Sequence, residues 1–311
     1  MELMDRIAGG EVVLLDGAMG TELERRGVPM DAKAWSAAAL DTHPEILRQV
    51  HGDYAHAGAE IHIVNSFALA RHVLEPAGFG DRVEAFNRRA VELCREAIAD
   101  SATERPQWVA GSLSTFADQS DRRNLPARAR LRANYDEQAA ILRAAGVDLF
   151  ALEMLCDVDI SLEALGAAAA HGLPVMIGFA CIWGEDCTTV EALARDVGLP
   201  PVDLADVLPP LVSAIPETTP AILAVMHSEF DVTDAALEVL ADHWSGPIAV
   251  YPNSGKFVYP NWQFDTVCSP EDFVAAARSW IDRGVRVVGG CCGIGPAHIR
   301  RLHQALVGPA T

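Results

Sequence analysis

Basic residues are scarce in this chain of 311 residues: 24 Lys and Arg stand against 43 Asp and Glu, a formal net charge of -19. So acidic a surface repels phosphate backbones and anionic headgroups, which excludes nucleic acid and a membrane surface as partners. The opening segment is not expected to act as a secretory signal either, because Met1 to Gly10 places acids at Glu2 and Asp5 with no basic stretch running into an apolar one. No segment reads as a bilayer span: Ala164 to Trp183 is apolar, but His171-Gly172-Leu173-Pro174 splits it into a helix end and a strand start. A disulfide framework is lacking too, since the 7 cysteines are odd in number and five are scattered singly, the pattern of reduced thiols packed in a core. Linkers, low-complexity tracts and repeats are absent, and no corrinoid- or folate-binding module is visible. The expected location is the cytoplasm and the expected partners are small molecules; a homo-oligomer is compatible with the composition.

What the chain does have is apolar bulk. At 50% hydrophobic residues it is long enough for one large barrel or two ordinary domains. Short β-like runs recur at Val12 to Leu15, Ile61 to Asn65, Trp108 to Ser112, Leu149 to Glu153, Val175 to Ala180, Ile222 to Met226, Ile248 to Tyr251 and Val285 to Val288. Most are continuously apolar, as parallel strands buried on both faces are. Helical spacing follows each run. Thr42-His43-Pro44-Glu45 reads as a capping box before a helix ending near Gly58, and Ser269-Pro270-Glu271-Asp272 starts another that ends near Gly284. Val83, Phe86, Ala90, Leu93 and Ala97 repeat at helical spacing between Asp81 and Ala99. The pattern predicts an α/β chain folded as one (β/α)8 TIM barrel over residues 1–311. A doubly wound open sheet is the alternative, weakened because no Gly-x-Gly-x-x-Gly turn follows the first run.

In such a barrel the residues just past each strand's carboxyl end form the active face. Those positions hold Asp16-Gly17, Asn65-Ser66, Ser112 and Ser114, Glu153, Cys181, His227, Asn253, and the pair Cys291-Cys292. Adjacent side chains on a regular strand point to opposite faces, so two neighbouring thiols serve one site only where the backbone turns. Gly289, Gly290 and Gly293 around them permit that turn. Two thiolates and an imidazole make a three-ligand zinc site with one position open to substrate, and His227, at the end of the sixth run, is the third candidate. Cys181 is a weaker one, and the other histidines, His51 and His62 among them, fall in helices, caps or a strand interior. Aromatic residues are few, with Phe 10, Trp 6 and Tyr 4, yet Phe257, Tyr259, Trp262 and Phe264 cluster after the seventh run. Together with Trp35 they either face a methylated cation or anchor their loop. The segment Trp183 to Gly198, with Glu185 and Asp186, is either a lid or a surface excursion.

Asp16-Gly17-Ala18-Met19-Gly20-Thr21-Glu22-Leu23, Trp35-Ser36, Val64-Asn65-Ser66-Phe67, Glu153 and Gly289-Gly290-Cys291-Cys292-Gly293 together resemble the homocysteine S-methyltransferase family, in the family's order and over essentially the whole chain. The resemblance implies a (β/α)8 barrel whose zinc is held by three cysteines and receives the homocysteine thiolate. It implies homocysteine and a small sulfonium or quaternary ammonium methyl donor as substrates. Asp16 and Glu153 are then the expected catalytic pair, and Asp16, Gly17, Trp35, Asn65, Glu153 and Asn253 the expected substrate contacts, with the Glu153 carboxylate meeting the substrate ammonium; Asp16 as a brace for the Gly17 turn is the alternative. The chain departs from the family pattern at Ala224-Val225-Met226-His227, where the family has Gly-x-Asn-Cys. The expected ligand set is therefore His227, Cys291 and Cys292 around Zn2+, formally neutral where three thiolates would leave -1. Ala68 and Met154 stand where betaine enzymes carry tyrosines, which favours a sulfonium donor. A zinc hydrolase with Glu153 as base and a non-enzymatic metal or redox thiol protein are the competing readings.

Overall fold

The apolar runs pair as parallel strands. The computed structural model describes residues 2–116, 126–193, 202–258 and 261–307. Its barrel consists of β1 (Val13–Leu14), β2 (Ile61–Ile63), β3 (Trp108–Ser114), β4 (Leu149–Leu155), β5 (Val175–Trp183), β6 (Ala221–Met226), β7 (Ile248–Tyr251) and β8 (Val287–Val288). They lie side by side in the order β1-β8-β7-β6-β5-β4-β3-β2, and a parallel bridge from Leu15 to Ile61 joins β1 back to β2. A helix follows each strand, from Pro44–Ala57 after β1 and Val83–Ser101 after β2 to Pro296–Val307 after β8. This is the (β/α)8 barrel that the run pattern predicts.

Burial on both strand faces explains why the runs look continuous. On β6, Ile222, Ala224 and Met226 fill the barrel interior with Ile61, Ala151, Met176 and Val287, while Leu223 and Val225 pack outward against the helical layer. Each fully buried aliphatic side chain of this kind contributes about 1.5–3 kcal/mol, so slipping a strand by one residue would carry a large penalty. The helix Leu3–Ala8 sets Leu3 and Ile7 against the same interior. Beside it the buried Glu60 carboxylate accepts from Arg6 Nη1 at 2.6 Å and from the Leu14 amide at 3.2 Å, and pairs with Arg105 at 2.9 Å. A charge buried that deeply persists only with such partners.

Helix boundaries follow the expected signals with one exception. Ser269 caps Pro270–Asp282, its Oγ accepting from the Asp272 amide at 3.1 Å. Gly58, at φ 104°, closes Pro44–Ala57 in the left-handed conformation that glycine adopts without steric cost. Thr42, however, does not cap that helix: it ends the preceding short helix Ala39–Thr42, and its Oγ1 donates backward to the Ala38 carbonyl at 2.9 Å. Among the described residues no helix is long and apolar enough to cross a membrane.

Candidate active site

The carboxyl ends of the strands open into a cavity of about 680 Å³, with Glu153, His227, Cys291 and Cys292 among its lining residues. Strand parity aims most of them. Ser112 and Glu153 share the inward face with Ala110 and Ala151, and Cys291 shares it with Val287. His227 is out of phase: it follows the inward-facing Met226 and on a regular strand would point to the helices. Its backbone takes φ 52°, a left-handed turn unusual for a residue with a side chain, and the ring swings into the cavity. Met154, equally out of phase, reaches the cavity by φ 59°, where the pairing of β4 with β5 shifts register between Leu152 and Leu155. Trp35, at φ 50°, is a third lining residue with this conformation, among five such non-glycine residues in the described part of the chain. Backbone strain in the described chain therefore concentrates at this site.

The two thiols sit in a turn held on both sides. The Cys291 amide donates to the Pro252 carbonyl at 2.7 Å, the Cys292 amide to Asn253 Oδ1 at 3.1 Å and the Gly293 amide to Thr21 Oγ1 at 3.1 Å. Cys291 Sγ lies 3.4 Å from His227 Nδ1 and 3.9 Å from Cys292 Sγ. The other ring nitrogen, Nε2, is 3.1 Å from Glu153 Oε2, and Ser112 Oγ donates to Glu153 Oε1. The neighbouring Cys292 sulfur and burial push the Cys291 thiol well above its ordinary value, so in the protein alone it keeps its proton.

A tetrahedral zinc with Zn–S of about 2.3 Å and Zn–N of about 2.0 Å separates its ligands by roughly 3.5 to 3.8 Å. The Cys291–His227 and Cys291–Cys292 spacings fit that size, and the donor set suits a borderline-soft cation. The three donor atoms are not all within 4.8 Å of one another, so Cys292 to His227 is the long edge. A different trio does meet that distance among the described residues: Asp16, His51 and His62. None of these lines the cavity, and all are buried. Burial pushes His51 down to about 3 and His62 down to about 4, and raises Asp16 well above the usual carboxylate range.

Of the expected substrate contacts, Trp35, Asn65, Glu153 and Asn253 line the cavity. Asn65 is fixed by Ser36, whose Oγ donates to its Oδ1 at 2.6 Å and whose carbonyl accepts from its Nδ2 at 3.2 Å. Asp16 and Gly17 are not among the residues that line the cavity. Asp16 shares parity with Leu14, which faces the helices, and its Oδ2 accepts from the Ile63 amide at 2.9 Å. The Gly17 carbonyl accepts from Tyr251 Oη at 2.9 Å. Both therefore brace the site from behind.

Trp35, Phe257 and Trp262 line the cavity as a linked group, with ring centroids 6.1 and 6.4 Å apart. Phe264 instead packs under the Arg25 guanidinium at 4.7 Å, and Tyr259 lies outside the described residues. The segment after Trp183 folds back through Val190–Ala192 as an antiparallel extension of β5; its portion at residues 194–198 lies outside the described residues. Cys181 lines the cavity as a buried thiol. Tyr251 is not among the expected residues, although its inward parity with Ala249 marks it.

A family model described as homocysteine S-methyltransferase matches residues 13–306. The chain belongs to the homocysteine S-methyltransferase family. It is 32% identical to homocysteine S-methyltransferase of Escherichia coli K12, over 94% of each chain. It is 28% identical to selenocysteine Se-methyltransferase of Brassica oleracea var. italica, over 96% of this chain and 90% of that one. The crystal structure of the metallated form of the E. coli homocysteine methyltransferase MmuM superposes with a TM-score of 0.76, covering 95% of this chain and 96% of that one at 28% identity. Within the homocysteine S-methyltransferase family, then, this member places an imidazole, backed by a carboxylate, against its paired thiols.

Proposed function

We propose that this chain transfers a methyl group from a small sulfonium donor to the thiol sulfur of homocysteine, giving methionine, at a zinc held by His227, Cys291 and Cys292. The observation that carries this reading is the convergence of two thiols and an imidazole nitrogen in an aromatic-rimmed cavity of a homocysteine S-methyltransferase family barrel. Bound there, zinc would supply the positive charge that lets a substrate thiol, of ordinary pKa about 8.5, shed its proton near neutral pH. The chain's own residues do the rest. Asn65, Asn253 and Glu153 line the space for the amino-acid end of homocysteine, and Glu153 offers the charge for its ammonium. The faces of Trp35, Phe257 and Trp262 suit a methylated cation, each contact contributing about 0.5–2 kcal/mol. A sulfur attacking the methyl carbon forms one C–S bond as the donor's C–S bond breaks, and the donor leaves as a neutral thioether.

Relatives named for homocysteine and for selenocysteine support a thiol or selenol acceptor. The cytoplasm, where such thiols stay reduced, is the proposed location. The test is a donor screen with homocysteine and the purified protein, following methionine. S-methylmethionine or dimethylsulfoniopropionate should give methionine at least about tenfold faster than betaine, a difference of about 1.4 kcal/mol in the barrier. Zinc-loaded protein that forms no methionine from any of them contradicts the proposal.

A further inference from the structure

We infer that Glu153 is a positioning residue for His227, fixing which imidazole nitrogen faces the thiols, and that this role exists because position 227 is histidine. The inference rests on the zinc site proposed above. An imidazole presents one nitrogen as a ligand only when its proton sits on the other, and the hydrogen bond made by that other nitrogen decides the matter. Here Nε2 is 3.1 Å from Glu153 Oε2. A carboxylate oxygen accepts, so Nε2 donates and the lone pair is left on Nδ1, the atom 3.4 Å from Cys291 Sγ.

Glu153 is itself held for the task. Ser112 Oγ donates to its Oε1, and Ser112 is locked between strands, its amide donating to Ser66 Oγ at 2.9 Å and its carbonyl accepting from the same hydroxyl at 2.9 Å. Both side chains of the pair are nearly buried, at 10% exposure for His227 and 4% for Glu153, so water competes weakly for either. The left-handed backbone at His227 turns its ring toward Glu153 against its strand parity. A cysteine at 227 has no second nitrogen and no tautomer to select. Its affinity for zinc would not depend on Glu153 in this way.

The test is a two-by-two comparison of the full chain: unaltered, Glu153→Gln, His227→Cys, and both changes, with zinc affinity read by competition against a chromophoric chelator. Loss of a carboxylate partner to a ligating histidine lowers metal affinity by about 10–100-fold. Glu153→Gln should do so in the unaltered background and shift the visible spectrum of the cobalt-substituted protein, yet change affinity by less than about twofold when His227 is cysteine. Ser112→Ala, which leaves the carboxylate in place, should weaken zinc in the same direction by a smaller factor and again only with His227 present. Equal weakening in both backgrounds, or no weakening in either, overturns the inference while leaving the zinc site standing. Unaltered protein that takes up no zinc overturns the site itself, and this inference with it.

Discussion

Replacing Cys291 by serine should abolish zinc retention through purification and lower methionine formation by at least about a thousandfold, or about 4 kcal/mol of barrier. Three observations make the effect large. Cys291 is the shared member of both close pairs, 3.4 Å from His227 Nδ1 and 3.9 Å from Cys292 Sγ, so its loss leaves the other two donors without a common neighbour. Burial and the adjacent Cys292 sulfur keep its thiol protonated in the protein alone, and a bound cation is what would ionise it. A serine hydroxyl is a poor ligand for a borderline-soft cation. The exposed Cys187 is the control: its replacement by serine should leave zinc content and rate within about twofold, since surface substitutions away from such features change little. Metal analysis of the purified proteins and a methionine assay check both. A Cys291→Ser protein that retained zinc and full activity would remove the thiol pair from the mechanism.

Gly293→Ala should be among the most destabilising single-atom-scale changes in the chain, costing about 3 kcal/mol or more. Gly293 takes φ 86°, a conformation that costs a residue with a Cβ about 1–2 kcal/mol. A Cβ there would also run into the Ser254 carbonyl oxygen and approach Val267 Cγ2 at 3.1 Å. Relief requires the turn to open, and that turn carries the thiols: the Ser254 amide donates to the Cys292 carbonyl at 2.8 Å and the Gly293 amide to Thr21 Oγ1 at 3.1 Å. Zinc affinity should therefore fall together with stability. Gly284 separates conformation from crowding, because its φ is 101° and a Cβ there would meet nothing within 4 Å; Gly284→Ala should cost only the conformational part. Denaturant titration of the two variants decides: equal losses would mean that the close packing around the thiol turn has no energetic weight.

The barrel is legible in the sequence because strands buried on both faces leave continuous apolar runs, and the eight runs all appear as strands. Their polar ends are legible too, but residue type alone does not say which way a side chain points. Asn65, Glu153 and Cys291 reach the cavity because they are in phase with inward residues such as Ile63, Ala151 and Val287. Asp16 is in phase with the outward Leu14, and so it braces the wall from the helical side. His227 and Met154 break the rule through left-handed backbone, which nothing in their composition announces. The Glu153–His227 contact is hidden for the same reason: it depends on a turn that neither residue type dictates. The Thr42 signal misleads because two helices abut there, and the hydroxyl serves the end of the first.

Zinc K-edge X-ray absorption on the purified protein, with and without homocysteine, tests the site most directly. The expected first shell contains the sulfurs of Cys291 and Cys292 with the nitrogen of His227, and it gains one further sulfur when homocysteine is added. A shell of nitrogen and oxygen alone, such as Asp16, His51 and His62 would provide, or a sulfur shell indifferent to homocysteine, would contradict it.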